Sequence, residues 1–211
     1  YSGTIVLNPQ SGVSLSDIDV VYSDLNLNFL WKPNEKHSVL LSALNTDNST
    51  SYDVGQGMSQ NMEEHAFDNQ GFSMEWSHSY SEKLKGKIVT ALSDYNSNYF
   101  NQLENPMGQA IDRFSRNGLR DFQTTYSLDL STKNLNTFTA GAATQYTQVS
   151  FSNRDISIMQ PPVSIAETEE GSIHAIFGNA KVISFGDFYF QAGGRLQYND
   201  VTKQLYLSPR L

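Results

Sequence analysis

Polar and apolar residues alternate along much of this chain with period two, the spacing of a strand with one wet face and one dry face. Between Asp17 and Lys32, Val21, Leu25, Leu27, Phe29 and Trp31 share one face, and Tyr22, Asp24, Asn26 and Asn28 share the other. The clearest run sets Phe72, Met74, Trp76, His78 and Tyr80 against Ser73, Glu75, Ser77 and Ser79. Phe122, Tyr126, Leu128 and Leu130 oppose Gln123, Thr125, Ser127 and Asp129, and Phe138, Ala140, Ala142, Thr144 and Tyr146 form the next face. In the last hairpin Phe188, Phe190, Ala192, Gly194, Leu196 and Tyr198 alternate with Tyr189, Gln191, Gly193, Arg195 and Gln197. Its return arm sets Leu205, Leu207, Pro209 and Leu211 against Tyr206, Ser208 and Arg210. Residues 173–183 read as a further strand, 38–47 as a weakly sided one, and 85–99 as a strand whose faces the pattern leaves open. A helical period is absent, apart from a possible short one inside 101–118.

The connections alternate in length. Short turns fall at 33–36, 81–84, 132–134 and 185–187, whereas 48–70, 101–118 and 153–171 are long and polar. Outer-membrane barrels have short turns on one side, long loops on the other, and strands of about 9–11 residues. The expected fold is therefore all-β: an antiparallel up-and-down transmembrane β-barrel segment of about nine strands. Residues 1–16 read as loop with one short strand around the TIVL of 4–7. The short 199–203 connection breaks the long-loop rule on its side. The competing reading is a soluble or cell-surface β-sandwich that binds a ligand such as a carbohydrate.

Composition narrows the function classes. The 211 residues include 14 Lys+Arg, 22 Asp+Glu and no Cys, for a formal charge of −8. An acidic chain argues against nucleic acid as partner. The absence of cysteine excludes disulfides and thiol chemistry. A mean hydropathy of −0.43 excludes a helical membrane protein but not a barrel, because lumen-facing positions dilute the average. Phe29, Trp31, Tyr80 and Phe138 lie near short turns, and Tyr99, Phe122 and Tyr146 near long connections, as two interfacial aromatic girdles would. Lys32, Lys36, Lys83, Lys85, Lys87 and Lys133 gather at the short-turn end. The chain opens on Tyr1 and stops at Leu211 inside an apolar strand pattern, so both ends read as cut.

Short motifs then point to a family. The arm FYFQAGGRLQY at 188–198 and the return YLSPRL at 206–211 resemble paired strands in the barrels of TonB-dependent outer-membrane receptors. The turn WKPNEKH at 31–37 and the stretch WSHSYSEKL at 76–84 resemble turns of Bacteroidota-type members. The resemblance covers essentially the whole chain. It implies that 1–211 is part of a barrel of roughly 22 strands holding a plug. It also implies energised uptake of a scarce nutrient such as a siderophore, cobalamin, haem, glycan or peptide. The implied partners are the rest of the barrel, the plug, TonB through an N-terminal region outside this chain, outer-membrane lipid, and in some members a surface lipoprotein.

No catalytic set or cofactor site emerges, and the spacing of His37, His65, His78 and His174 does not suggest a metal centre. Asp47, Ser49, Ser51 and Asp53 alternate but lack the Gly and Glu of a calcium loop. Asp24, Glu75, Asp129, Gln191, Arg195 and Arg210 fall on polar faces and are expected to line a wet lumen. In the long connections Glu63, Glu64, Asp68, Arg113, Arg116, Glu167, Glu169 and Glu170 are the expected ligand or partner contacts. The acidity there suits a cationic or metal-chelate ligand, and it equally suits solubility.

Overall fold

A computed structural model describes residues 2–3, 13–56, 59–104, 107, 110–132, 136–157, 160–185 and 188–210. The strands are β1 (Ser2–Gly3), β2 (Val13–Asn34), β3 (His37–Gln56), β4 (Ser59–Ser79), β5 (Leu84–Glu104), β6 (Ala110–Ser131), β7 (Thr137–Ser157), β8 (Gln160–Phe185), β9 (Phe188–Asn199) and β10 (Gln204–Arg210). They form one antiparallel sheet in chain order, β1 to β10, with no crossover. The sheet stays open, since β1 and β10 do not pair. The meander is the expected one, nine strands plus the two-residue β1. The strand expected around 4–7 and the turn residues 133–134 and 186–187 lie outside the described residues.

One expectation is corrected. The described parts of the three long connections are paired strand, not loop, apart from the turn at Met107. Residues 48–56 and 59–70 continue β3 and β4, residues 101–104 and 110–118 continue β5 and β6, and residues 153–157 and 160–171 continue β7 and β8. Every one of these arms is in register with its partner, as in Thr50 opposite His65, Asn98 opposite Arg116 and Asn153 opposite Ile165. The described part of 101–118 is extended, not helical. The strands from β2 to β8 are thus 20 to 26 residues long.

Directly opposed residues share a face, so register carries sidedness across the sheet. One row runs Trp31–Val39–Trp76–Ile88–Tyr126–Ala142–Ile176–Leu196–Leu207. Four residues along, another runs Leu27–Ala43–Phe72–Leu92–Phe122–Tyr146–Ser172. These rows settle 85–99: Ile88 and Leu92 join the apolar face, and Val89 and Ala91 join the opposite one. On the apolar face Leu27 is 57% exposed, Ile176 61% and Phe190 60%. Ala175, Ser127 and Asn101, the buried residues with side chains among those described, lie on the opposite face, and the buried Gly86 lies on the apolar one. A sheet curved around that second face produces this difference, so we call it inner and the apolar face outer.

The chain has no core of its own. No described side chain is fully buried, and the exposed surface is 14946 Å². A globular monomer of this mass would expose about 9,800 Å². The sandwich reading fails here, because the described residues form no second sheet to cover Leu27, Trp76 or Phe190. On β8 the outer apolar band reaches from Val182 to the row of Ser172. Ten residues span about 33 Å, or about 25 Å of height at a 40° tilt, the thickness of a barrel's lipid-facing belt.

Turns at the short end are held by side chains. Asn34 Oδ1 accepts from the backbone N–H of Lys36 (2.9 Å) and His37 (3.0 Å), and Ser81 Oγ accepts from that of Leu84 (3.1 Å). The β9–β10 turn has Lys203 at φ 57° and is tied to β8, where Asp200 Oδ1 accepts from Ser172 N–H at 2.6 Å.

Candidate functional site

At the height of the apolar band the inner face is polar and internally bonded. Lys87 Nζ lies 3.7 Å from Glu75 Oε2. Thr139 donates to Asp129 at 2.6 Å. Gln145 and Thr147 donate to Asp121 at 2.9 and 2.6 Å. The sequence-derived set Asp24, Glu75, Asp129, Gln191, Arg195 and Arg210 falls entirely on this face. It does not form one cluster, since Asp24 and Arg210 stand at opposite edges of the sheet. Arg195 Nε and Asn179 Oδ1 are buried here without a hydrogen-bond partner.

Past the Phe72–Leu92–Phe122–Tyr146 row the two faces exchange character. The outer face becomes polar, with Asn45–Gln70–Asp94–Arg120–Gln148–Glu170 as its next row. Arg120 closes on Asp94 there at 2.7 Å. The inner face becomes apolar. Tyr95, Leu119 and Val149 are directly opposed across β5, β6 and β7, and Phe67 and Phe151 lie two residues farther out. These five side chains are 38 to 48% exposed. On β8, Glu169 stands opposite Val149 and Glu167 opposite Phe151, both carboxylates on the inner face and exposed. Ile165 and Val163 continue that face outward.

Still farther out, the inner face carries a polar knot. Tyr52 donates to Glu63 Oε2 at 2.7 Å, Asn61 donates to Glu63 Oε1 at 2.9 Å, and Asn101 donates to Asn61 at 2.7 Å. His65 lies 4.0 Å from Glu63, and its ring meets Tyr99 at 4.5 Å. The bond to Glu63, with some desolvation, pushes the Tyr52 hydroxyl up to about 12. Arg113 shares this face, opposite Asn101 and Asp155, whose Oδ1 is buried without a partner.

The eight residues expected on long connections therefore divide by face. Glu63, Arg113, Glu167 and Glu169 point inward, and Glu64, Asp68, Arg116 and Glu170 outward. Arg116 Nε donates to Asn98 at 2.7 Å, and Glu170 accepts from Tyr146. Tyr99 is corrected too: it faces inward above the band and belongs to no outer girdle. Asp47 stands opposite Asp68 in an extended ladder, not in a calcium-type loop. The inner apolar patch was not foreseen, because in the sequence Phe67, Tyr95, Leu119 and Phe151 sit singly among polar residues. A change in alternation phase between Phe67 and Phe72 was the available signal.

The short-turn end holds a second unforeseen group. His37 and His78 pair across β3 and β4 with ring centroids 4.2 Å apart, Trp76 donates to His37 Nδ1 at 3.3 Å, and Tyr80 meets His78 edge-on at 4.4 Å. These rings lie on the outer face at the rim of the apolar band, where amphipathic rings suit a membrane interface. Among the described residues no group of three or more His, Cys, Asp or Glu could hold a metal.

No protein-family model and no curated protein matches the chain. Solved structures do. A chain of the RagAB peptide importer in its closed-closed state superposes with a TM-score of 0.62 at 11% identity, over 93% of this chain and 31% of that one. A further RagAB peptide transporter structure gives 0.62 at 11% identity over 93% and 32%. The outer-membrane transporter YddB of Escherichia coli gives 0.55 at 12% identity over 99% and 34%. The chain thus spans about a third of the length of these proteins. At such identity the likeness is one of fold. The sheet is a segment of an outer-membrane β-barrel wall, and its exposed apolar band places it against outer-membrane lipid.

Proposed function

We propose that this chain is part of the barrel of a TonB-dependent outer-membrane receptor that imports a scarce nutrient. The observation that carries the reading is the exchange of faces along β4 to β8: lipid-compatible outside and wet inside at membrane height, then an apolar inner wall above it. A structural barrel needs the first half of that arrangement and has no use for the second. The short-turn end is the periplasmic side, and the paired hairpin arms rise on the cell surface as the wall of a vestibule. The remaining strands and a plug complete the barrel. The unpartnered Arg195 Nε and Asn179 Oδ1 support a polar body packed inside it. TonB acts on the plug from the periplasm to release the bound nutrient inward, and a surface lipoprotein is the expected partner at the mouth of the vestibule.

The test compares spent medium from cells carrying the full-length receptor, cells lacking it, and cells lacking TonB. Mass spectrometry should find at least one small solute removed only when both proteins are present. Identical depletion in all three cultures contradicts the reading.

A further inference from the structure

Resting on the uptake reading, we infer that the vestibule wall recognises a peptide-sized cation with an apolar body, taking the body on Phe67, Tyr95, Leu119, Val149 and Phe151 and the charge on Glu167 and Glu169. At membrane height the inner face is hydrophilic and pairs with itself, through Glu75 with Lys87 and Asp121 with Gln145 and Thr147. That surface suits a plug. Higher up, five large apolar side chains are left exposed on the concave side, where lipid cannot reach them. An exposed apolar patch rimmed by charge marks a binding surface, and here it sits above the polar zone a plug would fill.

Charge selects the occupant. On this inner wall the acids are Asp24, Glu63, Asp155, Glu167 and Glu169, against Arg113 and the titratable His65. Glu63 is engaged by Tyr52 and Asn61, whereas Glu167 and Glu169 are exposed and form no ion pair among the described residues. The two groups are ordered in space. The apolar residues occupy β4 to β7, and the carboxylates follow on β8, one strand beyond Val149 and Phe151. With strands about 4.8 Å apart, β4 to β8 is about 19 Å, room for a short peptide with an ammonium or guanidinium group at one end. A small metal chelate would fill a fraction of that width.

The experiment uses the full-length receptor purified from outer membranes in detergent, with tetrapeptide probes carrying two Phe and either two Lys or two Glu. The basic probe should bind, and the acidic probe should bind at least tenfold more weakly. Glu167→Gln with Glu169→Gln should weaken the basic probe about tenfold, and Tyr95→Ala by a similar factor. Glu170→Gln is the control: it is the next residue on the same strand but faces outward, so affinity should stay unchanged. Equal or tighter binding of the acidic probe overturns the inference and leaves uptake standing. So does unchanged affinity in the double variant. A receptor found outside the outer-membrane fraction overturns both.

Discussion

Tyr52 on β3 and Glu63 on β4 join the two arms of the first tall hairpin, hydroxyl to carboxylate, at 2.7 Å. The pair lies above the apolar band, where nothing but register and such links holds the arms together. The hydrogen bond to Glu63 holds the Tyr52 proton, and desolvation and the nearby Glu63 charge add to it, so its pKa is pushed up to about 12. The contribution of this link is complete below pH 10, the unfolded value, and is lost as pH rises through 12. Ultraviolet difference titration of the native full-length protein against Tyr52→Phe should show one tyrosine ionising near pH 12. Ionisation with the bulk near pH 10 contradicts the link.

Asp200 binds the β9–β10 turn to β8 from below the opposite pH limit. Its carboxylate accepts from the backbone N–H and the hydroxyl of Ser172, which hold it below the ordinary carboxylate range. A depressed carboxylate stabilises above its unfolded pKa and loses that contribution as pH falls through the folded value. Asp200→Asn should therefore raise amide exchange in 199–204 at pH 7, and the difference from the parent should shrink as the pH falls below the ordinary carboxylate range. Equal exchange of the two proteins at pH 7 contradicts the clamp.

Ile176 stands near mid-height of the band on the outer face, exposed, and Gln123 stands on the inner face toward the band's upper edge. Ile176→Arg puts a charge in lipid and should destabilise by about 2–4 kcal/mol in bilayer folding titrations. Gln123→Arg faces the wet side and should cost under about 1 kcal/mol. Equal costs would mean that the outer face does not meet lipid.

The membrane-height half of the sheet was legible in the sequence, because lipid on one side and water on the other impose strict alternation. Trp76, His78 and Tyr80 against Glu75, Ser77 and Ser79 is that physics written directly. The upper half was not legible in the same way. Above the band both faces meet water, so Asn96, Asn98, Ser150 and Ser152 could occupy the outer side, and the average turned polar. Polar runs read as loop, yet the ladder pairs satisfy the backbone there whatever the side chains are. In such a run charge alone makes Glu169 and Glu170 look alike, although the strand points them to opposite faces. The His37–His78 pair was hidden for another reason: 41 residues separate partners that only β3–β4 register brings together.

Residues 1–211 contain no cysteine, so each single substitution introduces one labelling site within this segment, read against the unsubstituted protein. The most direct test of the vestibule model is labelling of intact cells with a membrane-impermeant maleimide at Thr50→Cys and Ser152→Cys in the tall arms, Leu92→Cys in the apolar band, and Ser81→Cys at a short turn. Cysteines at 50 and 152 should label on intact cells, that at 81 only after permeabilisation, and that at 92 in neither case until the protein is unfolded. Labelling at 81 on intact cells, or protection at 50 and 152, would contradict the account.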